Sequence, residues 1–217
     1  MTRSQLLTLP GPAGAIEALL DLPEAGGGNA TAIIAHPHPL YGGAMNNKVV
    51  HTLARAFVQC GWRAVRFNFR GVGASAGAYD EGRGETQDLL AVAAHQAPAG
   101  APLALAGFSF GAFVAAQAAG ALHEAGRDIA SIVLAGTAAG RFAVAPLPPA
   151  LGERALIVHG ERDETVPLAA VLDWARPQSL PVTVVPGGEH FFHGQLPLLR
   201  SLTVRHLRGG PLKVERC

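Results

Sequence analysis

The sequence predicts an α/β fold in which helices flank a central, mostly parallel β-sheet. Three observations predict it: short apolar runs recur along the chain, helical patterns lie between several of them, and hydrophobic residues make up 49% of the composition. Short apolar runs bounded by turn residues are typical of buried strands, and strands that alternate with helices form parallel sheets. The predicted strands lie at residues 15–20, 31–35, 64–69, 103–106, 129–135, 155–158 and 182–185.

The first elements are predicted to be a β-hairpin and then an amphipathic helix. A strand around Leu6 and the strand at 15–20 are separated only by turn residues, which favours antiparallel pairing. The turn residues are Pro10, Gly11, Pro12 and Gly14. The helix is predicted to begin near Asn46 or Asn47 and to end before Gly61. Its apolar face consists of Val49, Val50, Leu53, Phe57 and Val58.

Composition and charge limit the classes of partner. The chain has 217 residues, and we expect one domain over residues 1–217, because the glycine-rich stretch at 26–29 reads as a turn rather than a linker. The formal net charge is +1 without runs of like charge, so neither nucleic acid nor an anionic membrane surface is expected as a partner. The expected partner is a small molecule, and the oligomeric state stays open.

Cysteine usage and apolar segments predict a cytoplasmic protein. Cys60 and Cys217 form neither a disulfide framework nor a metal-binding spacing. Residues 1–12 lack the long apolar core of a signal peptide, and no segment approaches eighteen uninterrupted apolar residues. Export or membrane insertion is therefore not expected.

A G-x-S-x-G motif occurs twice, around Ser109 and around Ser75. In a nucleophile elbow, the serine lies on a sharp turn between a strand and a helix, and glycines flank it because side chains would not fit. Ser109 follows the apolar run 103–106 and precedes an alanine-rich segment suited to a helix, whereas a polar loop follows Ser75. The pattern therefore predicts an α/β-hydrolase fold with Ser109 as nucleophile and Ser75 as a loop serine.

Chain order selects the acid of a catalytic triad. In the α/β-hydrolase fold the acid follows a later strand than the nucleophile, at its carboxyl end. Acidic residues follow the run 155–158, and Asp163 is the first choice because it lies in the turn before Val166. Glu161 and Glu164 are the alternatives.

The histidine of the triad should follow the last strand of the sheet. Nine histidines are present, so position rather than presence must decide. His190 lies nearest the end of the run 182–185, in a glycine-containing loop that can reach over the serine. His193, at the start of the C-terminal helix, is the alternative.

An oxyanion hole requires two backbone N–H groups. One is expected from Phe110, directly after the nucleophile, and the other from the loop after the strand at 31–35. The prolines of that loop have no N–H, which leaves His38 as first choice and Leu40 as second.

The substrate pocket is predicted to be open and to contain no metal or other cofactor. His36 and His38 have no third ligand at the spacing of metal sites. Only a proline-rich connection lies at 136–154, where related folds carry a lid, so short or flexible acyl groups are favoured. The residues predicted to border the pocket are Tyr41, Phe108, Phe110, Phe191 and Phe192.

Several segments together resemble small bacterial α/β-hydrolases of the dienelactone hydrolase and serine-aminopeptidase-like group. They are HPHPLYGG at 36–43, RFNFRGVG at 66–73, GFSFG at 107–111 and HFFHG at 190–194. The resemblance implies a lidless hydrolase with the triad named above, within a subfamily of predicted hydrolases. Dienelactone hydrolases proper carry a cysteine nucleophile where this chain has Ser109, so their substrate is not carried over.

These observations predict a carboxylesterase-like serine hydrolase that cleaves small carboxylic esters through an acyl-enzyme. His190 is expected to take the proton of Ser109, and Asp163 to hold the imidazole in the required tautomer. Three alternatives stay open. A thioesterase or a peptidase would use the same triad, and a catalytically silent protein could bind a ligand on the same scaffold.

Overall fold

The computed structural model describes residues 3–24 and 28–210, and Gly26, Gly27 and Cys217 lie outside the described residues. The strands are β1 (Arg3–Gly11), β2 (Gly14–Leu22), β3 (Thr31–Ala35), β4 (Arg63–Phe67), β5 (Leu103–Phe108), β6 (Ser131–Ala135), β7 (Ala155–Gly160) and β8 (Val182–Val185). They form one sheet in the order β1-β2-β4-β3-β5-β6-β7-β8. The pairings β1–β2 and β2–β4 are antiparallel and all others are parallel. The predicted hairpin and mostly parallel sheet are thus confirmed.

Helices cover both faces of the sheet. They are α1 (Lys48–Gln59), α2 (Arg83–Gln96), α3 (Phe110–Glu124), α4 (Leu168–Ala175) and α5 (Leu196–Gly209), with short 3₁₀ turns at Pro39–Tyr41, Pro149–Arg154 and Arg176–Gln178. Apolar residues of α1 and α5 form a core on one face, and those of α2, α3 and α4 form a core on the other. None of the helices in the described part of the chain has the length and apolarity to span a membrane.

The centre of the sheet is built from continuous apolar runs. Every residue of β3, β5 and β6 is buried, as expected for parallel strands with helices on both faces. The carboxyl ends of β5, β7 and β8 lie at the same edge of the sheet, because these strands run parallel. Loops that follow these strands can therefore bring distant parts of the sequence together.

The start of α1 distinguishes between the two predicted caps. The side chain of Asn47 accepts hydrogen bonds from the N–H groups of Val49 and Val50, at 2.9 and 3.4 Å. These bonds satisfy two of the backbone donors that a helix leaves unpaired at its first turn. Asn47, rather than Asn46, is the N-cap.

Helix α2 was not recognised in the sequence. Its buried face carries Glu85 and Asp88, so the apolar repeat that identifies an amphipathic helix is interrupted. Glu85 accepts hydrogen bonds from the N–H groups of Asp80 and Gly82 and so fixes the start of the helix. Asp88 forms an ion pair with Arg70, 2.8 Å between Oδ1 and Nη2.

Candidate active site

Ser109 lies on the sharp turn between β5 and α3. Its backbone has φ 57° and ψ −116°, in the positive-φ region that side chains other than glycine rarely adopt. Both flanking glycines are required by close backbone contacts. A Cβ atom on Gly107 would collide with the carbonyl oxygen of Gly111, and one on Gly111 would collide with that of Ala35. The turn has the strand-turn-helix geometry of a nucleophile elbow.

The structure joins Ser109, His190 and Asp163 in one chain of hydrogen bonds. The distance from Ser109 Oγ to His190 Nε2 is 3.0 Å, and that from His190 Nδ1 to Asp163 Oδ2 is 2.6 Å. Because a carboxylate only accepts, Nδ1 carries the proton, and the lone pair of Nε2 faces the serine hydroxyl. All three residues are buried, and the arrangement is that of a general base set to remove the serine proton.

Hydrogen bonds keep the Asp163 carboxylate charged. Burial alone would raise its pKa, but the hydrogen bonds from His190 and from the N–H of Val166 outweigh burial, and the pKa is lowered. Oδ1 accepts from the N–H groups of Thr165 and Val166, at 2.9 and 2.7 Å, while Oδ2 faces the imidazole. The loop thus fixes which oxygen is presented to the histidine.

A second histidine packs against this carboxylate. His159 Nε2 lies 2.9 Å from the carbonyl oxygen of Val166 and 3.4 Å from Asp163 Oδ2. Since a carbonyl can only accept, Nε2 carries a proton, and Nδ1 has no hydrogen-bond partner among the described residues. Burial lowers the pKa of His159, so the ring is neutral.

The structure gives Ser75 a different environment. Its hydroxyl donates to the carbonyl of Asn68 at 2.7 Å and accepts from the N–H of Glu17 at 3.0 Å. Both partners are backbone groups, and the serine ties the loop after β4 to strand β2. The hydroxyl of Ser75 is therefore committed to structure rather than presented to a base.

The alternative acids and the alternative histidine are also separate from the serine. Glu161 accepts the N–H of Gly187 at 2.7 Å, and Glu164 is exposed. His193 is exposed and pairs with Glu189, with 3.1 Å between Nδ1 and Oε2. None of these side chains joins the hydrogen-bonded chain of Ser109.

The two backbone N–H groups predicted for the oxyanion hole have no hydrogen-bond acceptor in the described part of the chain. Phe110 is the first residue of α3, where an N–H has no partner within the helix. In the loop after β3, the N–H of Leu40 donates to His38 Nδ1 at 3.2 Å, which removes the second-choice donor. The N–H groups of Phe110 and His38 have no acceptor in residues 3–24 and 28–210.

His36 fixes the peptide unit that carries the His38 N–H. His36 Nδ1 lies 2.6 Å from the carbonyl oxygen of Pro37, and Nε2 accepts from the N–H of Phe69 at 3.0 Å. Burial lowers the pKa of His36 to about 4, so the ring is neutral at pH 7. The Pro37 carbonyl and the His38 N–H belong to one planar peptide and point in opposite directions. Holding the carbonyl therefore orients the N–H.

A cavity of about 330 Å³ opens beside Ser109 and His190. Three of the predicted border residues, Tyr41, Phe110 and Phe191, line it together with His38. Tyr41 and Phe191 are exposed at its rim. The cavity is largely apolar in lining, as small-molecule sites commonly are.

Phe108 and Phe192 do not line the cavity, and their predicted place at its border is wrong. Both are fully buried in the core that α1 and α5 form with the sheet. The ring of Phe108 packs against the imidazole of His190 from inside, with 4.9 Å between centroids. Phe192 has φ 53°, and its side chain belongs to the core rather than to the loop surface.

Sequence reasoning missed several residues that do line the cavity. They are Asn47, Ala138, Arg141, Phe142 and Thr165. Arg141 and Phe142 belong to the 136–154 connection, for which the sequence predicts only the lack of a lid. The available signal was that this connection leaves the carboxyl end of β6, at the same edge as the serine.

Comparisons with known proteins identify one family model, one curated relative over part of the chain, and solved structures over nearly all of it. A family model described as a thioesterase domain matches residues 86–183. XC6422 from Xanthomonas campestris, described as an α/β serine hydrolase without lid, is 39% identical, with a TM-score of 0.85 over 99% of this chain and 98% of that one. An α/β serine hydrolase homologue from Coxiella burnetii is 40% identical, with a TM-score of 0.78 over 95% of this chain and 98% of that one. The uncharacterized protein RP471 of Rickettsia prowazekii is 45% identical over 89 residues, which span 40% of this chain and 37% of that curated relative.

Proposed function

Because the chain belongs to the α/β serine hydrolases without a lid, we propose that it hydrolyses small carboxylic esters through an acyl-enzyme on Ser109. The observation that carries the proposal is the hydrogen-bonded chain from Ser109 through His190 to Asp163. An isolated serine hydroxyl is a weak nucleophile, and a base within hydrogen-bond distance activates it.

Each proton in the proposed reaction has a donor and an acceptor. Ser109 Oγ attacks the ester carbonyl carbon while its proton passes to His190 Nε2. The carbonyl oxygen becomes negatively charged and accepts hydrogen bonds from the N–H groups of Phe110 and His38. His190 then gives its proton to the departing alcohol, which leaves the acyl group on Ser109. Water then attacks the acyl group by the same steps, which releases the carboxylic acid and restores Ser109.

Asp163 supports these steps as a charged carboxylate and does not take the proton from His190. Its hydrogen bond to Nδ1 maintains the tautomer in which Nε2 is free to accept, and its charge stabilises the imidazolium that forms. The lowered pKa of Asp163 keeps this charge present at neutral pH.

The cavity beside Ser109 suits a small substrate. The cavity of about 330 Å³ has aromatic residues in its lining and no lid among the described residues, which favours short or flexible acyl groups. The substrate is a small molecule, and the chemistry needs no metal or cofactor, since serine, histidine and aspartate supply every step. We place the reaction in one domain over residues 1–217, in the cytoplasm.

The proposed nucleophile is tested with two variants, each of which replaces one serine by alanine. We expect Ser109→Ala to lose at least about a thousandfold in kcat on p-nitrophenyl acetate, and to lose labelling by a fluorophosphonate. Ser75→Ala is the matched control and should keep both, once circular dichroism shows it folded. Labelling that survives in Ser109→Ala would overturn the assignment. A folded wild type that neither labels nor turns over would favour a ligand-binding role for the scaffold.

Thioester hydrolysis is the second candidate, because the matching family model describes a thioesterase domain over residues 86–183. The same nucleophile and base serve both reactions, so the site geometry does not separate them. Rates on an ester and a thioester with the same acyl group and an alcohol or thiol of matched size decide between them. A larger kcat/KM for the thioester, retained across acyl groups, would replace the esterase proposal.

A further inference from the structure

We infer that Arg141 forms a subsite for a negatively charged group, so that the preferred ester carries a carboxylate. The inference rests on the proposed ester hydrolysis and names its substrate class. Arg141 is an exposed residue that lines the same cavity as Ser109 and His190.

A hydrogen bond to the loop after β7 holds the guanidinium of Arg141. Its Nε donates to the carbonyl oxygen of Thr165 at 2.7 Å, and the N–H of Thr165 donates in turn to Asp163 Oδ1 at 2.9 Å. Through these two hydrogen bonds Arg141 is attached to the loop that carries Asp163, the acid of the triad. Its two terminal nitrogens make no hydrogen bond or ion pair with the described part of the chain.

No opposite charge faces Arg141 within the cavity. Apart from this arginine, no Lys, Arg, Asp or Glu contributes to the lining formed by residues 3–24 and 28–210. Arg141 is itself exposed, whereas the buried Arg66 and the partly buried Arg70 are paired with Asp21 and Asp88. The cavity therefore presents an unpaired positive charge to whatever enters it.

His38, which lines the cavity together with the proposed base His190, adds no second charge. His38 Nδ1 accepts the N–H of Leu40, so a proton on that nitrogen would break the bond. Its Nε2 lies 3.2 Å from the hydroxyl of Tyr79, and burial lowers its pKa. His38 is neutral, and Arg141 is the only lysine or arginine in the cavity lining formed by the described residues.

The shape of the free group specifies its ligand. With Nε already bonded, the two terminal nitrogens still form a planar fork that matches the two oxygens of a carboxylate. The rings of Phe110 and Phe142 line the same cavity and would cover the apolar part of the substrate. A small ester with a carboxylate at one end fits both surfaces.

Isosteric pairs of esters test the charge without changing the size. Monoethyl adipate and ethyl adipamate place a carboxylate or a carboxamide on the acyl side, and 4-acetoxybenzoate and 4-acetoxybenzamide place them on the leaving group. We expect the wild type to prefer the carboxylate in at least one pair by about fivefold in kcat/KM, chiefly through KM. The ratio of kcat/KM for the carboxylate to that for the carboxamide should fall to about one in Arg141→Gln. Arg141→Lys should keep part of this ratio.

A remote arginine and a binding measurement complete the test. Arg176→Gln removes the same charge from an exposed pair with Asp173 and should keep the wild-type preference. If Arg141→Gln lowers kcat/KM equally for both esters of each pair, the preference is unchanged and Arg141 only supports Thr165. That result would overturn the inference.

Titration of Ser109→Ala with monoethyl adipate and ethyl adipamate separates the subsite from the chemistry. Tighter binding of the carboxylate that Arg141→Gln abolishes in the same background supports the subsite even if the wild type hydrolyses no ester, in which case the proposed function alone fails. Ester hydrolysis without a carboxylate preference in rate or binding overturns the subsite alone.

Discussion

The imidazole of His36 is buried, and both of its nitrogens contact backbone groups. Through the Pro37 carbonyl it holds the peptide whose N–H we assign to the oxyanion hole, so it is a positioning residue outside the reaction itself. Gly43 allows this arrangement, because a Cβ atom there would collide with the Pro37 carbonyl oxygen. The donor is therefore fixed before any substrate arrives, which is the property that makes an oxyanion hole effective.

Replacement of His36 should act on kcat rather than on KM. We expect His36→Leu to lower kcat for a p-nitrophenyl ester by about a factor of ten to a hundred, because the His38 N–H loses its orientation toward the oxyanion. KM should change little, since the ground-state ester does not carry the charge. The exposed His95 gives the control variant His95→Leu. A folded His36→Leu with wild-type kcat would contradict the role of the His38 N–H.

At this scale the sequence predicted which residues meet at the site, but not which way aromatic rings point. Ser109, Asp163 and His190 were identified by chain order and the strands they follow, and the structure brings these three together. Their catalytic roles stay predictions. Phe108 and Phe192 lie within two residues of Ser109 and His190, yet both side chains point into the core. Phe108 ends strand β5, and Phe192 has a positive φ that the sequence pattern does not display.

At the scale of elements, buried polar contacts join β2 and β4 to the loop before α1. Arg66 on β4 pairs with Asp21 on β2, with Nε and Nη2 at 2.7 and 3.2 Å from the carboxylate oxygens. The same guanidinium donates to the carbonyl of Met45 at 2.9 Å. Asn68 adds a bond from the N–H of Met45 to its Oδ1, at 2.8 Å. The loop that leads into α1 and carries the cavity residue Asn47 is thus anchored on the sheet.

The buried pair should matter more for stability than a surface pair of the same type. We expect Asp21→Ala to lower the free energy of unfolding by about 3–5 kcal/mol, because it leaves the Arg66 charge buried and uncompensated. Asp173→Ala, which breaks the exposed pair with Arg176, should cost about 0–1 kcal/mol. Urea unfolding followed by circular dichroism measures both. Equal losses for the two variants would contradict this ranking.

The strands could be predicted from the sequence where short apolar runs indicate them. The predicted bounds of β3 and β8 coincide with those observed, because turn residues flank both runs. Strand β5 continues to Phe108 rather than ending at residue 106, since Gly107 pairs with Leu134 of β6 despite lacking a side chain. Helix α2 was not predicted because its buried face carries the acids Glu85 and Asp88. Their partners, Arg70 and the loop before the helix, lie outside the helix and cannot be recognised from its own sequence.

At the scale of the whole molecule, neutral buried histidines make stability depend on pH. Burial lowers the pKa of His36 to about 4 and lowers those of His159 and His206 below their usual value of 6.5. An unfolded chain takes up protons at these histidines as pH falls through 6.5, whereas the folded chain does not until lower pH. Protonation therefore favours the unfolded state in that range.

We expect the free energy of unfolding to fall as the pH is lowered from 7 to 4, with His36 alone accounting for about 3 kcal/mol. The lowered pKa of Asp163 adds a further loss at still lower pH, as the pH passes below the ordinary aspartate value of 3.8. Urea titrations at pH 7, 6, 5 and 4 measure the slope. His36→Leu should show a flatter slope than the wild type, and a free energy that does not change over this range would contradict the prediction.

The architecture as a whole could be predicted from the sequence. The α/β-hydrolase fold, with a mostly parallel sheet, flanking helices and no lid, is confirmed. The span of 1–217 as one domain and membership of the narrower dienelactone hydrolase and serine-aminopeptidase-like group stay predictions. The cavity wall formed by Arg141 and Phe142 was not predicted, because a segment without regular structure gives no periodic signal of what it faces.

The positive φ of Ser109 implies a conflict between folding and activity at a single position. A residue with a side chain is held there in a backbone conformation that costs of the order of 1–3 kcal/mol. Glycine would relieve that cost and would remove the hydroxyl at the same time. Selection for stability alone would therefore favour replacement of the serine. The contacts of β5 and α3 around it must offset the free-energy cost of its backbone conformation.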